Sequence, residues 1–216
     1  MPASPRKSRP VGPGRPKDLE KRAAILAAAK RLFPARGFDG VSMDAIAAEA
    51  GVSKLTVYSH FRDKEALFAA AVREKCLEQV PEEVFVTAPK GPIRDALGTI
   101  AQHFFALVSS DEAMGLQRMI LAESGAETRM GKLFWDAGPA RILASFERFL
   151  HEAVAAGKLE IPDVEEAAGH FLCLLKGEVN MRMIFGPDAP KHCASDERHV
   201  ASVVDMFLRA YAPRGE

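Results

Sequence analysis

Cysteine is scarce in this chain: among 216 residues only Cys76, Cys173 and Cys193 occur. An odd number with no paired spacing excludes a disulfide framework and a zinc finger. No run of eighteen apolar residues exists, which argues against a membrane span. The opening Met-Pro-Ala-Ser-Pro-Arg-Lys lacks the apolar core of a secretory signal. A Gly-rich phosphate loop, a metal-ligand cluster and any linked Ser, Cys and His arrangement are also missing, so neither an enzyme nor a bound cofactor is expected. The expected location is therefore the cytoplasm.

Net charge is missing as well, since 29 Lys and Arg balance 29 Asp and Glu. The balance hides an asymmetry. Residues 1–80 hold 15 basic against 9 acidic residues, and the remainder is acidic by the same margin. A basic front on an acidic body suits a chain whose N-terminal part meets a polyanion. Residues 1–17, rich in Pro, Gly and basic side chains, are expected to form a disordered arm. Arg9, Arg15 and Lys17 could carry it into a minor groove beside a DNA-reading helix, or merely solubilise the chain.

What the sequence does contain is concentrated in residues 42–65. Ser42 can cap a short helix, and Asp44 places negative charge in its first turn. Alanines at 45, 47, 48 and 50 allow a second helix to approach closely. Gly51 suits the positive φ that ends a helix, and Ser53 can cap the next one. On that second helix Val57 and Phe61 lie one turn apart and are expected to point inward. Lys54, Thr56, Tyr58, Ser59 and His60 are then left for DNA or its rim. Asp63 can cap a following helix with Lys64 in its first turn, where N–H groups and an ammonium would hold a phosphate. The pattern is that of a helix-turn-helix whose second helix enters the major groove.

Residues 18–68 resemble the DNA-binding domain of the TetR family of bacterial transcription regulators. The resemblance is carried by Ile25-Leu26-Ala27-Ala28-Ala29, Leu32-Phe33, Arg36-Gly37-Phe38, Val41-Ser42-Met43 and Ile46-Ala47-Ala48-Glu49-Ala50-Gly51-Val52-Ser53. Thr56-Val57-Tyr58-Ser59-His60-Phe61 and Lys64-Glu65-Ala66-Leu67-Phe68 complete it. Leu55 departs from the small residue frequent there. Farther on, Leu133-Phe134-Trp135-Asp136-Ala137-Gly138-Pro139 and Phe171-Leu172-Cys173-Leu174-Leu175-Lys176-Gly177 are similar to the AefR-like effector domains of that family.

The remaining sequence repeats apolar residues at helical spacing, with breaks at Pro81, at Pro89-Lys90-Gly91-Pro92 and at Gly138-Pro139, Gly157 and Gly186-Pro187. The stretch after Pro81 reads as a linker. The expected architecture is therefore all-α. A helix-turn-helix domain over 18–64 and a connecting helix over 65–80 precede a larger helical domain over 81–216.

The resemblance implies that this larger domain binds a small effector and forms a homodimer. The implied partners are a double-stranded, palindromic operator and a small, hydrophobic or aromatic molecule. The implied site on the nucleoid is a promoter, and the common mode is repression. Ser42 and Lys64 are implied phosphate contacts, and Ser53 belongs to the implied DNA-binding set. Candidate pocket residues are Phe104, Met119, Phe134, Trp135, Phe146, His170 and Met181, although an ordinary core uses the same residue types. Phe171, Leu174, Leu175, Val203, Val204, Phe207 and Leu208 are candidates for a four-helix dimer interface, or for packing within one subunit. Alternatives are the same fold sensing thiol oxidation or metal through its cysteines, or acting as an activator.

Overall fold

The computed structural model describes residues 15–86, 91–122, 129–185 and 196–213, and all regular structure among them is helical. None of the described helices is long and apolar enough to cross a membrane. The head comprises α1 (Arg15–Arg36), α2 (Met43–Glu49) and α3 (Lys54–His60). α1 begins earlier than the expected Asp18, because Pro16 needs no N–H in a first turn and its fixed φ suits one. One face of α1, with Ile25, Leu26, Ala29 and Phe33 fully buried, packs on α4 (Lys64–Gln79) through Leu67, Phe68 and Val72. Phe33 and Phe68 meet edge to face at 5.2 Å, and Phe38 closes the cluster at 5.7 Å from each. Such pairs add about 1 kcal/mol each beyond the area they bury.

The body contains α5 (Glu83–Val86), α6 (Ile93–Val108), α7 (Asp111–Ala122), α8 (Arg129–Ala137), α9 (Pro139–Ala155), α10 (Val164–Phe185) and α11 (Asp196–Tyr211). Two expectations are corrected here. The stretch after Pro81 is not simply a linker: α5 forms there and buries Phe85 in the body core. The candidate interface residues Phe171, Leu175, Val203, Val204, Phe207 and Leu208 are consumed by their own protomer's core, where Phe171 stacks on Phe146 at 5.0 Å and meets Phe207 at 4.9 Å. Of the seven only Leu174 stays exposed, together with Met206 on α11.

α10 is not continuous. Gly177 has φ 52° and breaks it within the described backbone. The break frees the Leu175 carbonyl from its helical role, and His199 Nε2 of α11 donates to it at 3.0 Å. A Cβ on Gly177 would stand 3.2 Å from the same imidazole.

Head and body share packing instead of hanging on a single helix. Leu116 and Met119 of α7 and Ala137 of α8 belong to the apolar cluster of the head. At Gly115 the two parts come so close that a Cβ would lie 2.8 Å from Pro34 Cβ. Pro34, which has no N–H to donate, lies near the end of α1 and faces that glycine.

Candidate DNA-binding surface and ligand cavity

The turn between α2 and α3 is built by backbone hydrogen bonds that the sequence makes available. Ser42 Oγ accepts from Ala45 N at 3.1 Å and starts α2. Gly51, at φ 65°, ends it; the Gly51 N–H donates to Ala48 O at 3.2 Å and the Val52 N–H to Ala47 O at 3.0 Å. This is the paired arrangement that satisfies the last carbonyls of a helix and turns the chain. Ser53 then caps α3, its Oγ accepting from Thr56 N at 3.2 Å. Val57 and Phe61 are buried as expected, which fixes the rotation of α3 about its axis.

That rotation leaves Leu55 at 80% exposure, with Tyr58 and Lys54 exposed beside it. Lys54 Nζ lies 2.8 Å from Asp44 Oδ1 and so ties the two helices together; that carboxylate raises the lysine's pKa. The Ser59 hydroxyl donates to the Thr56 carbonyl at 2.7 Å. Thr56 is half-buried, its hydroxyl 2.9 Å from Ser53 Oγ. His60 departs from the expectation of an exposed side chain. It is 10% exposed, with Nε2 buried 3.1 Å from Asp18 Oδ1 of α1 and without hydrogen-bond geometry. Its place at the last turn of a seven-residue helix points the ring back at α1, not out with Tyr58.

α4 starts at the end of this unit. Asp63 Oδ1 accepts from Ala66 N at 2.8 Å, and Arg62 Nε donates to Oδ2 at 2.8 Å. The backbone N–H first, and the guanidinium second, hold the Asp63 carboxyl below its ordinary pKa. Lys64, expected as a phosphate grip, donates to Phe38 O at 2.8 Å and sits 4.2 Å over the Phe38 ring. An ammonium has three donors, so this bond locates Lys64 without using it up. Arg9 lies outside the described residues, as do the side chains of Arg15 and Lys17, whose backbone forms the first turn of α1.

A second site lies in the body. A cavity of about 480 Å³ is lined by α4, α6, α7, α8, α9 and α10 and opens beside the half-exposed Leu121 and Trp135. Of the candidate pocket residues, Phe104, Phe134 and Trp135 line it. Phe146 does not, because it is fully buried in the aromatic stack, and Met119 points into the head cluster. His170 faces outward, 3.9 Å from Glu166. The Met181 side chain lies outside the described residues.

Sequence reasoning missed Lys75 and Cys76 from α4, Gln117 from α7, and Cys173 and Lys176 from α10, all of which line the cavity. The signal was present on α10. Gly169, Leu172, Cys173 and Lys176 form a second stripe at helical spacing beside the core stripe of Ala168, Phe171 and Leu175, and Asn180 joins the lining beyond the break at Gly177. Asn180 is buried and holds the wall: Nδ2 donates to Val108 O at 3.3 Å and to Met114 Sδ at 3.4 Å. Cys76 is ill suited to thiol sensing, because burial pushes its pKa up to about 11 and a thiolate is the reactive form. Cys193 and the neighbouring His192 lie outside the described residues.

A capped helix-turn-helix with an exposed second helix, joined by a shared helix to a body that holds a mostly apolar cavity, defines a DNA-binding transcription regulator. The chain belongs to the TetR family: residues 25–71 match the bacterial regulatory proteins of the tetR family, and residues 95–213 match the AefR-like transcriptional repressor C-terminal domain. It is 28% identical over 203 residues to the uncharacterized HTH-type transcriptional regulator YdeS of Bacillus subtilis, covering 92% of this chain and 91% of YdeS. Among solved structures, a TetR-family transcriptional regulator from Mesorhizobium loti aligns with a TM-score of 0.78 and 29% identity, over 91% of this chain and 99% of that one. The flavonoid-responsive regulator FrrA aligns with a TM-score of 0.65 and 33% identity, over 90% and 98%. Members of this family are generally ligand-responsive DNA-binding regulators.

Proposed function

We propose that the chain is a repressor that binds a palindromic operator as a homodimer and releases it when a small apolar or aromatic effector enters the cavity. The observation that carries this reading is the position of α4. Its first turn is pinned to the recognition unit by Asp63 and Lys64, and farther along Val72, Lys75 and Cys76 form a wall of the cavity. A ligand that favours a displaced α4 would change where the heads stand. Only a difference in affinity between the two states can do so. A swing from 1:99 to 99:1 needs about 5.5 kcal/mol of preference. FrrA, similar in fold over most of its length, is flavonoid-responsive, which supports a carbon-rich aromatic occupant.

On DNA, Lys54, Thr56 and Tyr58, with the exposed Leu55, would face base edges and the groove rim, while Ser42, Ser53, Ser59 and Lys64 serve the backbone. Asp18, near the start of α1, meets His60 at the last turn of α3, and an arm carrying Arg9 would extend from that side toward the minor groove. Two heads on one duplex require half-sites about 34 Å apart or somewhat more. Among the described side chains, the large apolar ones that α10 and α11 leave exposed, Leu174 and Met206, are available for a second copy.

The test is release. A DNA fragment recovered by genomic selection is labelled, bound, and challenged with a panel of apolar and aromatic compounds. Active compounds should release the wild-type protein but not Leu172→Trp, whose indole fills the cavity while DNA binding is kept. Equal release of both proteins would refute the cavity as the control point.

A further inference from the structure

The cavity wall is mostly carbon, but its few polar groups are not balanced. Among the described residues it contains two lysines and no carboxylate. Lys75 is already neutralised: its ammonium lies 3.1 Å from Glu112 Oε2, and this bond holds the Glu112 carboxyl below its ordinary pKa. Lys176 is different. It is half-buried on the cavity stripe of α10 and has no ion pair or hydrogen bond among the described residues. Gln117 of α7, also half-buried, offers a second donor on the same lining.

An ammonium held against an apolar wall without a counter-charge is costly, and so is an anion taken from water into such a wall; each offsets the other's cost when they pair. The remaining lining, built of residues such as Phe104, Ile142, Leu143 and Leu172, would penalise any further charge. At about 480 Å³ the space matches a compact organic molecule.

We propose that the cavity takes a monoanionic amphiphile, an apolar aliphatic or aromatic body with one ionised acidic group, and that Lys176, seconded by Gln117, recognises the charge. This rests on the reading of the cavity as the effector site. It goes further in separating acids from neutral molecules of the same shape.

The experiment uses the full chain and two fluorescent probes with one skeleton. One is 1-anilinonaphthalene-8-sulfonate, and the other is N-phenyl-1-naphthylamine, which lacks the sulfonate. The sulfonated probe should bind wild type about tenfold tighter or more, the scale of one charge-assisted hydrogen bond. Lys176→Met should remove that preference and leave the neutral probe unchanged, which also shows that the variant is folded; Lys176→Arg should keep it. Leu172→Trp should exclude both probes, with Ala113→Leu as a second way to narrow the space. Equal binding of the two probes by wild type, or a preference that survives Lys176→Met, would overturn the acidic ligand while leaving the cavity intact. Failure of both probes to bind, or binding untouched by the cavity-filling variants, would overturn the cavity reading itself.

Discussion

Asp63 shows how much one short side chain does at the junction of head and body. One carboxylate oxygen receives the Ala66 N–H in the first turn of α4 and the other receives Arg62, so the helix that lines the cavity starts at a fixed point behind α3. Asp63→Ala should lower stability by about 1 kcal/mol at neutral pH, the usual cost of an N-cap. Asp63→Asn should keep most of the cap but lose its pH dependence. The folded-state pKa of Asp63 lies below its unfolded value. Its stabilisation is therefore complete above the unfolded value, about 3.9, and disappears as pH falls through the lower folded one. Urea unfolding of wild type and Asp63→Asn from neutral pH into that range measures it, and the gap between them should close in acid. Caps of this kind were legible because a Ser or Asp three residues before an N–H has one job to do. Cavity residues were less so. Phe104 and Phe146 are the same residue type on amphipathic helices, yet one meets open space and the other stacks on Phe171. Lys176 reads in sequence as a solvated charge, and only the path of α10 brings it to the cavity lining.

At the scale of elements, glycines mark where helices are drawn together and where they are not. Gly138, between α8 and α9, lies against α4: a Cβ there would stand 2.9 Å from Cys76 Sγ and 3.0 Å from Val72 Cγ1. Gly98, inside α6, has nothing within 4 Å of the same atom. Gly138→Ala should thus destabilise the protein by about 1 kcal/mol or more through overpacking. Gly98→Ala should stabilise it by about 0.4–1 kcal/mol, since alanine loses less freedom in a helix. Thermal unfolding of the pair checks this, and the opposite order would show that the α8–α9 corner is loosely held. Helix positions were readable from breaks at Gly, Pro and capping residues. The break inside α10 was not, because an isolated glycine looks the same in a straight helix. It is the bond from His199, distant in sequence, that makes the interruption at Gly177 tolerable. Likewise the periodicity identified the buried stripes of α10 and α11 but not their partner. Phe171, Val203 and Phe207 face each other's helices in one chain, where a dimer interface had been expected.

For the whole molecule, the two apolar clusters are joined by α4 and by α7, whose Leu116 and Met119 sit in the core of the head. Head and body are therefore packed together through α4 and α7, and in the proposed mechanism this packing links the cavity to α3. The charge asymmetry of the sequence completes the picture, with the excess of basic residues in the part that carries the recognition helix. The most direct measurement is a fluorescence-anisotropy titration of the purified protein on DNA flanking its own gene, at two salt concentrations, with Tyr58→Ala as control. The account predicts sequence-selective binding that weakens steeply with salt, saturates at an even number of chains per palindrome, and is reduced by Tyr58→Ala. Absence of selective binding, together with a genome-wide selection that recovers no palindrome, would contradict it.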